Sequence, residues 1–275
     1  MSLKTNEKDV VDNTNSPITI QSLIQDFKHL GITPGSILIT HCSMSKIGWV
    51  VGGAVAVISA MLDVITPRGT LIMPTFSGDN SEPYYWQNPP VPEEWWEIVR
   101  NNMPAFHLEK TPTRGLGVIP ETFRKWPKVV RSDHPNLSFA AWGKYAKNII
   151  MNHDLGIDLG ENSPLARIYE LNGKILLLGV THENNTSLHL AEYRSNFKSK
   201  SYRKAGAAIQ GKSGREWREW EELNINSDDF EKLGLDYEAK NVITTGKVGM
   251  ADAKLIFQRH IVDFAINWFE KNRIN

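Results

Sequence analysis

Cysteine is nearly missing: Cys42 is the single thiol in 275 residues. That excludes an intrachain disulfide framework and any thiolate-rich zinc or iron–sulfur centre. Long apolar runs are also missing. Stretches such as residues 175–180 fall far short of the ~20 residues a membrane span needs, so no membrane association is expected. Neither sign of charge is in excess, with 31 Lys and Arg against 31 Asp and Glu, which argues against a dedicated nucleic-acid binder. Residues 1–17 are polar, carry Lys4, Lys8, Asp9 and Asp12, and lack the apolar segment of a secretory signal. They read as a flexible tail before one domain at 18–275, with the cytoplasm as default address. Repeats, heptads and low-complexity tracts are absent. What remains, 41% hydrophobic and 23% charged, has the composition of a soluble globular protein.

Periodicity then gives the elements. Ile20, Leu23, Ile24, Phe27 and Leu30 fall at helical spacing, with Gly31 as a stop. The β-branched run at 36–40 reads as a strand, 52–65 as a helix ended by Pro67, and 70–76 as a second strand. Strand, helix and strand within about forty residues form a βαβ unit, which implies a parallel pair in an α/β sheet. Helices are further expected at 117–126, 163–171, 185–195 and 261–269. Strands are expected at 138–142 and, most clearly, at 174–180. Gly211-Lys-Ser-Gly214 between alternating residues suggests a hairpin over 207–223. Residues 77–112 hold six prolines and a cluster of aromatics. They cannot be one regular element. They read equally as a binding wall or as a packed surface insertion.

Two strand-to-helix junctions carry chemistry-bearing residues, at the ends of strands where α/β proteins gather ligands. In the second, His189 and Glu192 are three apart. On a helix they share a face, so the carboxylate can orient the imidazole and leave its other nitrogen free to take a proton. On residue types alone an ordinary helical ion pair fits as well. His182, seven residues earlier, invites a metal reading, but the spacing matches no metal signature, and none is expected. The first junction, His41-Cys-Ser-Met-Ser-Lys-Ile-Gly48 followed by Gly52-Gly53, offers exposed amides and a helix start suited to a pyrophosphate, or simply an ordinary turn. Cys42 reads as a nucleophile or, more plainly, as a small buried side chain. Thr111-Pro-Thr-Arg-Gly115 adds a compact turn with an arginine for an anion, and Arg131-Ser-Asp-His-Pro135 adds a polar turn.

These blocks occur in one order, together with Met73-Pro-Thr-Phe76, Pro89-Pro-Val-Pro-Glu-Glu-Trp-Trp96, Ser138-Phe-Ala-Ala-Trp-Gly143, Ser163-Pro-Leu165 and Asn185-Thr-Ser-Leu-His-Leu-Ala-Glu192. In that order the chain resembles the aminoglycoside 3-N-acetyltransferases, which are distinct from the GNAT acetyltransferases, from about residue 18 to residue 269. The resemblance implies a three-layer α/β/α sandwich with a mostly parallel or mixed sheet and a long Pro/aromatic-rich insertion. It implies acetyl-coenzyme A as donor and the 3-amino group of an aminoglycoside-like sugar as acceptor. Its His-x-x-Glu pair falls on His189 and Glu192, with Thr186 beside them as a catalytic candidate. Its coenzyme loop falls on His41, Cys42, Ser43, Met44, Ser45 and Lys46; Cys42, Met44 and Lys46 depart from the family's usual Ser, Leu and Ser. Thr111, Thr113, Arg114, Ser138 and Phe139 complete the expected coenzyme contacts.

A polycationic acceptor implies carboxylates, for which Asp79, Glu82, Glu93 and Glu94 in the insertion are the candidates. The expected partners are therefore acetyl-coenzyme A and a small amine, with the chain a monomer or homodimer. A coenzyme A-dependent N-acetyltransferase acting on a different amine metabolite is the alternative. A thiol hydrolase using Cys42 and a non-catalytic coenzyme-binding protein are rivals from other classes.

Overall fold

The three parallel strands at the centre of the main sheet are built from runs rich in β-branched and leucine side chains. In the computed structural model, which describes residues 7–156 and 158–274, β1 is Ile37–Cys42, β2 Thr70–Pro74, β3 Val130–Arg131, β4 Phe139–Gly143 and β5 Lys174–Leu178. A separate hairpin follows, β6 Tyr202–Gly211 and β7 Gly214–Leu223, and then β8 Thr244–Val248 and β9 Ala251–Phe257 return to the main sheet. Helix α1 is Glu7–Asp12, α2 Ile20–His29, α3 Met44–Ile47, α4 Gly53–Ile65, α5 Trp96–Asn102 and α6 Val118–Phe123. Helix α7 is Ala146–Ile150, α8 Pro164–Glu170, α9 Leu188–Arg194, α10 Phe230–Glu238 and α11 Gln258–Asn272. Of the expected 1–17 tail, residues 1–6 lie outside the described residues, α1 follows them, and Thr14 Oγ1 accepts from the Trp49 amide at 2.9 Å.

The sheet order is β3-β4-β2-β1-β5-β9-β8. Strands β2, β1 and β5 run parallel, and all outer pairings are antiparallel. The sheet is therefore mixed, with a parallel centre. Its side chains divide strictly by period two. Leu38, Leu71, Met73, Leu176 and Leu178 enter one core with α2, α4 and α6. Ile39, Ile72, Ile175 and Leu177 enter the other with α7, α8, α9 and α11. Strands buried on both faces need apolar residues at every position, and the Ile-Leu-Leu-Leu of β5 supplies them. This gives the three-layer architecture.

Helix boundaries follow local chemistry. Thr19 and Ser22 form a reciprocal capping box on α2, and Ser163 Oγ accepts from the Leu165 amide at 3.2 Å with Pro164 in the first turn of α8. The crossover from β1 to β2 passes through α4 on one face, whereas the chain reaches β5 through α8 on the other. Strand β1 is thus the point where the winding reverses, and the carboxyl ends of β1, β2 and β5 open a crevice there. The insertion between β2 and β3 closes one side, pinned to the β6–β7 hairpin: Asn80 Nδ2 donates to the Ala208 carbonyl and Asn80 Oδ1 accepts from its amide, both at 3.0 Å.

Candidate active site

A cleft of about 1100 Å³ opens at the reversal point. Residues 40–45 at the end of β1 form its floor, Pro74 and Phe76 follow from β2, and 115–120 make one wall. Val180, Glu183, Asn184, Thr186 and His189, which follow β5, face them together with Ser227.

His189 sits in the first turn of α9, and its Nδ1 is hydrogen-bonded to Glu192 Oε2. Glu192 is fully buried, while His189 is 12% exposed and reaches the cleft. The ring lies against Phe230, with centroids 4.8 Å apart. A carboxylate at Nδ1 selects the Nδ1–H tautomer, which leaves Nε2 with a free lone pair. The second carboxylate oxygen, Oε1, accepts from the Asn226 amide at 3.0 Å and from the Arg273 guanidinium. Arg273 in turn donates to both oxygens of Asp229, at 2.8 and 2.6 Å, and to the Asn226 carbonyl at 2.6 Å. The imidazole is thus oriented by a carboxylate that is itself fixed from behind.

Across the cleft floor, burial and the nearby His189 push the His41 ring down to about 3, so it is neutral. Its Nε2 is buried with no hydrogen-bond partner among the described residues. Burial pushes the Cys42 thiol up to about 12, which removes the thiolate that nucleophilic catalysis requires.

The structure gathers some of the expected residues and not others. His41, Cys42, Ser43, Met44, Ser45, Thr186 and His189 share the cleft. Lys46 stands one residue farther along, its Cβ so near Gly179 that a methyl there would sit 2.5 Å away. Thr113 is engaged by Glu121 through its amide and hydroxyl, both at 2.9 Å, and the Thr111 carbonyl accepts from Arg131 at 2.6 Å. Arg114 pairs with Asp79, donates to the Asn88 carbonyl at 3.0 Å, and lines a neighbouring hollow of about 430 Å³. Ser138 and Phe139 are fully buried where the chain enters β4; Ser138 Oγ donates to the Thr75 carbonyl at 2.9 Å and accepts from Arg131 Nε at 3.0 Å. Glu82 holds Arg100 (Nε to Oε2, 3.0 Å), and Glu93 and Glu94 sit on an exposed single turn. The carboxylate that does line the cleft is Glu183.

The turn expected at 111–115 reaches the cleft through its end: Gly115 and Gly117, both with positive φ, bring the 115–120 wall to it. Other contributors have no counterpart among the expectations. Arg273, Asn226 and Asp229 carried no signal, because their relation to Glu192 exists only in three dimensions. His182 is structural: its Nε2 meets Glu238 at 2.7 Å and its amide donates to Glu231 at 2.8 Å. The 131–135 turn is also packed inside, with His134 Nδ1 accepting from the Leu137 amide (3.0 Å) and Nε2 donating to Asp158 (2.7 Å). Among the described residues, no group of three or more His, Cys, Asp and Glu gathers to hold a metal ion.

Comparison with known proteins adds a consistent set of likenesses. Residues 39–270 match a family model described as aminoglycoside 3-N-acetyltransferase. The SPbeta prophage-derived aminoglycoside N(3')-acetyltransferase-like protein YokD of Bacillus subtilis (strain 168) is 46% identical over 96% of this chain and 97% of its own length. The crystal structure of that protein superposes with a TM-score of 0.94, covering 96% and 98% of the two chains at 45% identity. A structure described as AAC-IIIb binary with CoASH gives 0.84 at 29% identity, covering 94% of this chain and 99% of that one.

Proposed function

Since the chain belongs to the aminoglycoside 3-N-acetyltransferase family over residues 39–270, we propose that it moves the acetyl group of acetyl-coenzyme A onto an amine of an aminoglycoside-type sugar. The observation that carries this reading is the His189–Glu192 pair at the edge of a cleft large enough for a pantetheine arm and a sugar amine. The donor is supported by the relative whose structure is described as a complex with CoASH.

In this reading the amides and hydroxyls of residues 43–45 receive the phosphate end of the coenzyme, and the 115–117 turn faces it. Glu183, the carboxylate on the cleft wall, takes an acceptor ammonium, in place of Asp79, whose charge is already matched by Arg114. His189 Nε2 removes a proton from the attacking amine as its nitrogen bonds to the thioester carbon. The carbonyl electron pair moves to oxygen, where a backbone amide of the loops or the Thr186 hydroxyl donates to the oxyanion. Collapse re-forms the carbonyl and breaks the carbon–sulfur bond, and the proton held by His189 passes to the thiolate. Cys42, held as a thiol, takes no part.

The test is a panel of aminoglycosides and simpler amines, assayed for acetyl-coenzyme A-dependent thiol release with the acetylated position read by NMR. Transfer to an aminoglycoside 3-amino group is the expected result. Transfer only to a different amine would replace the acceptor but keep the chemistry. Coenzyme binding without release would overturn the enzymatic reading.

A further inference from the structure

A buried carboxylate is tolerable only when charge or donors compensate it. Glu192 is met by three groups, His189 Nδ1, the Asn226 amide at 3.0 Å and the guanidinium of Arg273. Arg273 is fixed in turn: besides its bonds to Asp229 and Asn226, it lies 4.0 Å over the Phe269 ring and 5.1 Å over Phe197. Burial opposes its charge, but the hydrogen bonds to Asp229 and Glu192 outweigh burial and hold the guanidinium above its ordinary range. It is an immobile cation in contact with the carboxylate that steers the base. It follows the end of α11 and lies beyond the residues 39–270 that match the family model.

We infer that Arg273 is a positioning residue of the transfer site: it supplies the positive charge that balances Glu192, so that His189 meets the acceptor without a proton already on its ring. The inference rests on the general-base reading above. Without the guanidinium, an ionised Glu192 beside a neutral imidazole would leave one uncompensated negative charge in a closed space. The pair would relieve it by capturing a proton, whichever of the two groups carried it. A pair that has already captured a proton is a poor base for the amine.

The other charges facing the pair do not substitute for this contact. His41, across the cleft floor, is kept neutral by burial. Lys200 feels the charge of Glu192, but its ammonium is spent on the carbonyls of Tyr193 and Ser195, both at 2.8 Å. Asp229, with its side chain 30% exposed, pulls the other way and offsets part of the effect of the guanidinium. Glu183 lies on the open wall of the cleft.

The experiment compares wild type, R273Q, R273K and D229N by two readouts. The first is the pH dependence of kcat/KM for thiol release, and the second is the NMR titration of the His189 ring protons without substrate. For R273Q the acid limb of the rate profile and the NMR midpoint should both move to higher pH. Its activity should fall about tenfold or more below neutrality and largely recover at alkaline pH or with added guanidinium ion. R273K should keep the wild-type limb, and D229N should move it the opposite way. A uniform drop in R273Q at every pH, with an unmoved NMR midpoint, would reduce Arg273 to a clamp on α11 and overturn the inference. If R273Q does not fold, an unmoved limb and midpoint in D229N overturn it instead. If wild type transfers to no acceptor, the functional reading fails, while the NMR titrations still decide the role of Arg273.

Discussion

His189 and Cys42 both bring nucleophilic or basic chemistry to the cleft, and their surroundings suit them to opposite parts. His189→Ala removes the cleft-lining ring that has a carboxylate at its back, and turnover should fall about 10²–10⁴-fold with coenzyme affinity nearly unchanged. Stopped-assay rates beside calorimetric binding check both halves of that statement. Cys42→Ser should leave turnover within a few-fold, and alkylating reagents at neutral pH should react slowly, because the half-buried thiol is pushed up to about 12. Rapid alkylation that abolishes thiol release would return Cys42 to the mechanism. The His-x-x-Glu spacing was legible because one helical turn brings positions i and i+3 together. Ser138 and Phe139 are expected both at the start of a strand and as coenzyme contacts; β4 does begin at Phe139, but the two side chains are enclosed by Thr75, Arg131 and Phe76 and do not line the cleft.

At the scale of elements, the turn that carries Thr186 and the start of α9 is held by α10. A Cβ built on Gly234 would lie 2.0 Å from the His182 ring. Only glycine lets α10 approach so closely. Gly234→Ala should therefore cost about 1–3 kcal/mol in unfolding free energy, measured by denaturant titration. It should also lower kcat, because the displaced His182 turn leads directly into α9, which carries His189. A variant of unchanged stability would mean that the ring swings aside without strain.

Elements with strong periodicity were readable: the parallel βαβ unit, α8 with its Ser-Pro start, and β5. The hairpin begins five residues before its expected start, at Tyr202. Strand β8 escaped because Thr244–Thr245–Gly246–Lys247 are exposed and polar, without alternation. Its pairing comes from β9 alone. The β9–β8 edge of the sheet was therefore hidden, although a mixed sheet was already among the implications of the resemblance.

Over the whole molecule, four histidines, His41, His134, His153 and His182, are all pushed below their ordinary range, burial being the largest cause in each. His41 sits at about 3 and His134 at about 4. As pH falls below about 6.5 the unfolded chain binds protons that the native rings refuse, so each site removes stability in that window. Glu222 acts in the opposite sense, since burial and its carboxyl neighbour Asp158 push it up to about 7. Between about 4.5 and 7 the native state holds its proton and the unfolded chain does not, so this site favours the lower pH. The histidines outnumber it. The melting temperature should decline from pH 6.5 to 4.5, and E222Q should make the decline steeper; scanning calorimetry at several pH values would show either. A flat profile would mean that these rings are protonated in the native state.

Burial of this kind cannot be read from composition, where eight histidines against a neutral chain suggest nothing. Nor could the link between Glu192 and Arg273, which are 81 positions apart. That separation orders events during synthesis. A ribosome must complete the sheet and the helix α11 before Glu192 acquires its last neighbour. A chain cut before Arg273 that still closed its core would turn over slowly near neutral pH, so catalysis in newly made protein reports the arrival of that guanidinium and not folding alone.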